Sequence, residues 1–480
     1  MTVAILAVFL VGLLWPGSVP VHAWSYEVDN DADDANAHDV TPGDYICADS
    51  YGVCTLRAAI EEANAQGGPH TITFKYAMQI NIDPSVGALP PLNEQIKIDA
   101  SAVWDTADDE PGVTIHGSFG SYAGLMPNAV GCEIYGLYVT GFDGTGIYIS
   151  SSNNTIGGTG AGQRNVVSGN PNNTGITMSG SGANNNYIGN NYIGLTALGT
   201  TTNPNGTGIL LTGGANHNVI GGNDTSHGNL IAGNTTNGVV IEGTGTDGNL
   251  LSNNRIGLGS DPTIPLPNGQ YGVRIQNGPA NTIIGGTDGS GNVITNNGSS
   301  GVYIGNAGDF NEVSWNLIGS NTLDGVSIYD TANTYINDNV VSSNTLGGVR
   351  VSGVTAAGNL IWPNSITANG SKGIIIQDGA NNGIAVPTIA GAIPWGASGT
   401  SCTSCRVAIY SDSSDEGQIY HDVVWADGSG NWTYTGGPLL GPYLTATSID
   451  TSGNTSEFSS PLAVTVAAVY KVYLPLIRTD

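Results

Sequence analysis

Positive charge is what this sequence lacks most. Only 11 of its 480 residues are Lys or Arg, against 38 Asp and Glu, which leaves a formal net charge of −27. Such a chain repels DNA, RNA and anionic lipid, and so few basic residues do not predict an extended basic groove. It also repels anionic polysaccharides unless a divalent cation bridges them. Cysteine is scarce, at 5 residues. The CxxC at Cys402 and Cys405 has no second ligand pair for zinc and no βαβ surroundings for a thioredoxin-like site, so a local disulfide is expected. Long apolar runs are lacking too. Residues 3–15 form one, but it falls short of the roughly 20 residues a membrane-spanning helix needs, and no other stretch qualifies. No GxSxG, HExxH, P-loop or dinucleotide motif occurs.

What is abundant is one short phrase, Gly-(Ile/Val)-x-(Ile/Val/Leu/Met). It starts at Gly146, Gly175, Gly208, Gly238, Gly272, Gly301, Gly325, Gly348 and Gly373, at intervals of 23 to 34 residues. A near-constant period of this length with one apolar strand per period marks a solenoid. The alternation within each phrase is that of a strand with one face in and one out. Ile147, Ile176, Ile209, Val239, Val273, Val302, Val326, Val349 and Ile374 should therefore stack as one inward column.

Two further apolar pairs follow in each period, each introduced by Asn. One set begins at Asn154, Asn186, Asn218, Asn249, Asn281, Asn311 and Asn359; the other at Asn165, Asn191, Asn229, Asn254, Asn292, Asn316, Asn339 and Asn364. Three short strands per period with Gly or Asn at the corners make a triangular coil, and stacked coils make a parallel β-helix. Asn tolerates the left-handed backbone of a corner, and its amide can bond to the Asn of the next coil as a ladder. Longer loops decorate the earlier coils at residues 157–164, 221–228 and 285–291, and at 194–207 and 257–271 in between.

Read from the start, residues 1–23 end in an A-x-A-like site, Val21-His22-Ala23, and read as a signal peptide, which makes the protein secreted or surface-bound. The acidic stretch that follows offers Asp29, Asp31, Asp33 and Asp34 as candidate Ca²⁺ ligands, without EF-hand spacing. Leu56, Ala59, Ile60 and Ala63 then fall on one helical face, opened by Cys54 or Thr55 and closed by Gly67-Gly68. Cys47 and Cys54 can pair in an oxidising compartment, and Cys132 is expected free and buried.

This segment resembles the CSLREA-type N-terminal domain of bacterial secreted β-helix proteins. The likeness rests on the Cys47/Cys54 pair, CTLRAAIEEAN at 54–64, TITF at 71–74 and IKID at 96–99, with Thr55 for the usual Ser and Ala58 for the usual Glu. It implies a right-handed β-helix and an exported protein, and no settled activity. The helix would cap the open first coil. After Ile376 the repeat stops. Alternating runs with Gly, Asp and Ser turns predict an antiparallel sandwich, similar to immunoglobulin-like modules most visibly at 446–459. The expected organisation is a signal at 1–23, a cap at 24–70, the β-helix at 71–383, the sandwich at 384–468 and a tail at 469–480.

No motif names a reaction. An inverting glycosidase needs two convergent carboxylates, and the densest acidic region offers Asp309, Glu312, Asp324, Asp330 and Asp338. A lyase would need an Arg or Lys base beside Ca²⁺; Arg274 and Arg350 are candidates. The outward row of the Gly-phrase strands reads Tyr148, Thr177, Leu210, Val240, Arg274, Tyr303, Ser327, Arg350, Ile375. Its stretch Arg274, Tyr303, Ser327, Arg350 suits sugar stacking and hydroxyl or carboxylate binding. The expectation is adhesion, surface structure or glycan binding, with a polysaccharide lyase or glycoside hydrolase as the alternative. A polysaccharide or cell-surface glycan is the expected partner, and Ca²⁺ the one cofactor considered.

Overall fold

The computed structural model describes residues 23–287 and 289–465. Residues 1–22 of the expected signal segment and the tail at 469–480 lie outside them. Three parallel sheets of 12, 11 and 9 strands wind round one core, and two small antiparallel sheets follow. The nine-stranded sheet holds the Gly phrases, from Ile147–Ile149 to Ile374–Ile376, and is called the glycine sheet below. The first asparagine sheet runs from Trp24–Val28 to Leu360–Ile361, and the second from Met78–Asn81 to Ser365–Thr367.

The inward column forms as the phrase spacing predicts. Ile147 pairs with Ile176, Ile176 with Ile209, and the register continues without a slip through Val239, Val273, Val302, Val326 and Val349 to Ile374. All nine are buried in one apolar cluster that fills the coil. Burying each such side chain contributes about 1.5–3 kcal/mol, which is why a one-residue slip, turning the column to solvent, is not tolerated.

The Asn ladder is continuous along the second asparagine sheet. Each Nδ2 from Asn165 to Asn339 donates to the Oδ1 of the next rung, ending on Asn364, at 2.9–3.0 Å. In the first asparagine sheet the row is broken. The rung expected at Asn281 is Thr282; Asn281 itself turns the corner at φ 54°. Thr334 replaces another rung, and both Thr hydroxyls are buried without a partner. A third ladder, Asn170, Asn205, Asn234, Asn268, Asn297, Asn321, Asn344 and Asn369, lies at the corner before the glycine sheet. Its signal is an Asn four residues before the phrase Gly in six of the coils.

Helix α1 (Leu56–Gln66) begins at Thr55, whose hydroxyl accepts from the Ala58 amide, and ends at Gly67 with φ 73°. It lays Leu56, Ala59, Ile60 and Ala63 on the first coil beside Tyr26, Val28 and Ile72. The coil starts earlier than residue 71, because Trp24–Val28 pairs in parallel with His70–Phe74. Alternation in WSYEV was hidden by the acidic run after it. Cys47–Cys54 and Cys402–Cys405 are disulfides, and Cys132 is free and buried.

The sandwich closes the other end. Strands Thr388–Ile393, Gly396–Thr400 and Asn431–Tyr434 form one sheet; Ile419–Trp425, Arg406–Asp412, Tyr443–Ile449 and Leu462–Ala463 form the other. The turn after Tyr443–Ile449 folds over the last coil. Asn454 Oδ1 accepts from the Gly358 amide, Thr455 Oγ1 from the Ile361 amide, and the Thr455 carbonyl from Asn381 Nδ2. These bonds satisfy backbone groups that an open solenoid end would leave bare.

Candidate functional site

The acidic candidates do not meet. Asp309 and Asp330 sit at the corner after the glycine sheet, Glu312 on the first asparagine sheet, Asp338 at the corner between the asparagine sheets, and Asp324 at the corner before the glycine sheet. They ring the coil, because the acidic residues were grouped by sequence distance while each coil turns full circle in about 24 residues. Asp330 is held by the Thr355 hydroxyl at 2.9 Å and Asp338 by the neighbouring Asn337 amide at 3.2 Å.

Three of the four N-terminal acids are likewise spoken for. Asp33 is buried in a two-bond pair with Arg57, at 2.7 and 3.0 Å, and Asp29 accepts from the Cys54 amide. Asp31 and Asp34 are exposed, and Asp34 caps its own turn at Asn36. Among the described residues no group of three or more His, Cys, Asp or Glu gathers to hold a metal, so the expected Ca²⁺ site is not formed by these four.

The outward row of the glycine sheet is in register as expected, and Arg274, Tyr303, Ser327 and Arg350 occupy successive strands. Its two ends differ in chemistry. Arg350 donates to both oxygens of Asp324, at 2.8 and 3.0 Å, and to Gln377 Oε1 at 2.9 Å. Two residues expected in separate roles are thus one ion pair, and Arg350 is not free for a ligand. Arg274 has no carboxylate partner among the described residues. Its guanidinium carbon lies 5.7 Å from the Tyr271 ring centre and 5.9 Å from that of Tyr303, and the two rings are 4.9 Å apart. Arg274 Nε is buried without a hydrogen-bond partner. Burial holds the Tyr303 hydroxyl above the ordinary tyrosine pKa, so it stays a neutral donor. Tyr271, missed by sequence reasoning, carried a signal: it directly precedes the phrase Gly. In the earlier coils Thr177 and Val240 of this row are buried, Thr177 beside the Thr145 hydroxyl.

The first asparagine sheet carries a cleft of 480 Å³ lined by Tyr135, Tyr187, Gln163 and His227. His227 Nδ1 lies 2.8 Å from Asp224 Oδ1, and its ring meets Tyr187 edge-on at 6.1 Å. Hydrogen bonds from Ser226 and His227 bring the Asp224 pKa down to about 2. The Tyr187 hydroxyl is buried without a partner, and burial lifts its pKa to about 12.

Nine Lys and Arg fall among the described residues. Arg57, Lys75, Lys97, Arg164, Arg350 and Lys372 each have a carboxylate partner. Arg255, Arg274 and Arg406 have none there, and Arg406 lies over the Trp362 ring. In a chain of net charge −27, an arginine with no acid beside it is a departure that needs a reason.

Comparison with known proteins adds a partial match. Residues 285–422 match the family of the periplasmic copper-binding protein NosD. None of the curated proteins matches the chain. A mannuronan C-5 epimerase A-module of Azotobacter vinelandii is 16% identical over 73% of this chain and 79% of its own, with a TM-score of 0.33. A tailspike of an E. coli bacteriophage, solved with a pentasaccharide, is 11% identical over 88% and 92%, TM-score 0.35. A pectate lyase is 11% identical over 73% and 80%, TM-score 0.34.

Copper does not fit the matched segment. Copper prefers thiolate, thioether or imidazole ligands. Residues 285–422 contain no Met, one His and two Cys that are joined to each other. That His421 has Nε2 at 2.6 Å from Ser411 Oγ.

Proposed function

We propose that the protein is an exported β-helix protein that binds glycans, acting in adhesion or at the surface. The observation that carries this reading is the Tyr271–Arg274–Tyr303 cluster. Two rings and an unneutralised guanidinium on a flat parallel sheet offer an apolar face for a sugar and donors for its hydroxyls. The buried Arg274 Nε without a partner is a donor that a bound hydroxyl would satisfy. The CSLREA-like segment and the match to a periplasmic family support export. The reading is tested on a glycan array. Tyr303→Ala and Arg274→Gln are expected to weaken binding at least tenfold with no change in melting temperature. An array on which both variants match the wild type would overturn it.

The alternative, a polysaccharide-cleaving enzyme, is favoured by one observation: the Asp224–His227 pair beside the unpartnered Tyr187 hydroxyl in the 480 Å³ cleft. An oriented imidazole and a neutral phenol are the parts of acid–base chemistry. The same glycan panel decides it: shortened products that vanish in His227→Ala would carry the enzymatic reading, and intact polymers would sink it.

A further inference from the structure

The outer face of the second asparagine sheet is walled on both sides. Residues 221–228, 285–287 and 289–291 border it at the corner shared with the first asparagine sheet. Residues 194–207 and 257–271 border it at the other corner. The second pair of loops packs into one wall: the Ser260 amide donates to the Gly199 carbonyl at 2.8 Å, and Ser260 Oγ to the Leu198 carbonyl at 2.9 Å. Leu195, Leu230, Ala232 and Leu266 form a small apolar core under it. Between the walls lies a cleft of 350 Å³ whose floor includes Tyr192, Leu230, Arg255 and Val293, outward residues of four successive strands.

Arg255 is the charge of this cleft. Its one described hydrogen bond is from Nη1 to the Ser260 carbonyl, at 3.4 Å. Among the described residues, the carboxylates on the walls are turned into their own loops. Asp224 binds Ser226 and His227, and Asp261 binds the Thr263 amide and hydroxyl at 2.8 and 2.7 Å. At the Tyr192 end, Arg164 stacks on the ring at 4.2 Å while paired with the exposed Asp109.

Beyond Val293 the walls stop, and the same row continues as Leu317 and Val340. These are 47% and 43% exposed, and Trp315 at the adjoining corner is 38% exposed. Outward apolar side chains of this size on undecorated coils form a platform in line with the cleft. Tyr192 to Val340 spans five strand steps, about 24 Å at about 4.8 Å each. A walled cationic cleft that opens in line onto an apolar platform suits an extended chain bearing an acid group rather than a compact ligand.

We propose that this groove binds an acidic oligosaccharide, with a sugar carboxylate on Arg255 and sugar faces against Trp315, Leu317 and Val340. The guanidinium fork matches a carboxylate in two parallel bonds, and the apolar side chains match the C–H faces of pyranose rings. The site is on a different sheet from the Arg274 cluster and stands or falls apart from it. The background charge of −27 makes the local cation the discriminating feature, because an acid sugar meets attraction there and repulsion elsewhere.

The test is calorimetric titration of the full protein in EDTA, which removes bridging divalent ions. The ligands are galacturonate, alginate and hyaluronan oligosaccharides, against neutral cello-oligosaccharides of equal length. At least one acidic ligand should bind tenfold more tightly than the neutral ones. Arg255→Gln should lower that affinity at least tenfold and flatten its salt dependence, Arg255→Lys should retain part of it, and Arg406→Gln, the same loss of charge in the sandwich, should leave it unchanged. Equal binding by Arg255→Gln and wild type overturns the proposal. So does binding of none of the acidic ligands in EDTA, equal binding of the neutral ones, or loss in Arg406→Gln but not in Arg255→Gln.

Discussion

Arg350 shows how one contact redirects a residue's meaning. On the strand pattern it stands level with Arg274, yet a carboxylate reaches it and none reaches Arg274. The Asp324–Arg350 pair is 6% and 21% exposed in its side chains, between the buried and exposed regimes. Removing the arginine leaves Asp324 with the Gly347 amide alone and a cost of about 2 kcal/mol. Arg350→Ala should thus lower the denaturation midpoint while glycan binding at Tyr303 persists. An unchanged midpoint would mean the pair holds nothing. Arg57 is bound more fully, by Asp33 and the Gly87 and Ala88 carbonyls. The acidic run before α1 therefore serves the cap rather than a metal.

At the scale of an element, the ladders explain why the coils accept polar residues inside their corners. Asn254 donates to Asn292 Oδ1 and the Ile220 and Ser252 carbonyls, and accepts from the Asn229 amide and side chain. Asn254→Ala strips partners from several buried groups, each worth about 1–3 kcal/mol, for a total of about 3 kcal/mol or more. Asn254→Thr should cost less, since Thr282 and Thr334 already interrupt the sister row. Urea unfolding of both variants checks the order; Thr proving as costly as Ala would show that the ladder bond is not the source.

At the scale of the molecule, the junction between β-helix and sandwich is expected to respond to pH through Glu416. Glu416, 2% exposed, receives bonds from the Asn369 amide and side chain, the last rung of the third ladder. Burial raises its pKa, helped by Asp412 and Asp415 and opposed by those bonds. The folded chain therefore holds this proton more tightly than the unfolded chain does. Its contribution is most favourable below the ordinary glutamate pKa and is lost as pH rises from there through the raised value. Glu416→Gln, neutral throughout, should be more stable than the wild type at pH 7, with the gap closing by pH 4. A gap that is constant with pH would remove Glu416 as the titrating group. Lys372 and Glu457 cross the same junction as an ion pair.

Much of this architecture was legible because a solenoid repeats its local rule. One Gly phrase with period-two apolar residues specifies a strand, and its recurrence specifies the stack, so the inward column from Ile147 to Ile374 followed from spacing alone. The helix at 56–66 was equally plain, its apolar face being set by residues three and four apart. The candidate site was legible only in part. Spacing placed Arg274 beside Tyr303, since neighbours in one row have a constant offset within each phrase. It could not place Asp324 beside Arg350, gather Tyr187 with His227, or leave Arg255 without an acid among the described residues. Those outcomes depend on where loops of unequal length fold back over a sheet, and on which charges they bring or keep away. The sequence by itself determined the coil and its inward face. The tertiary structure alone decided which outward charges are neutralised, because Coulomb attraction acts across coils and corners that lie far apart along the chain.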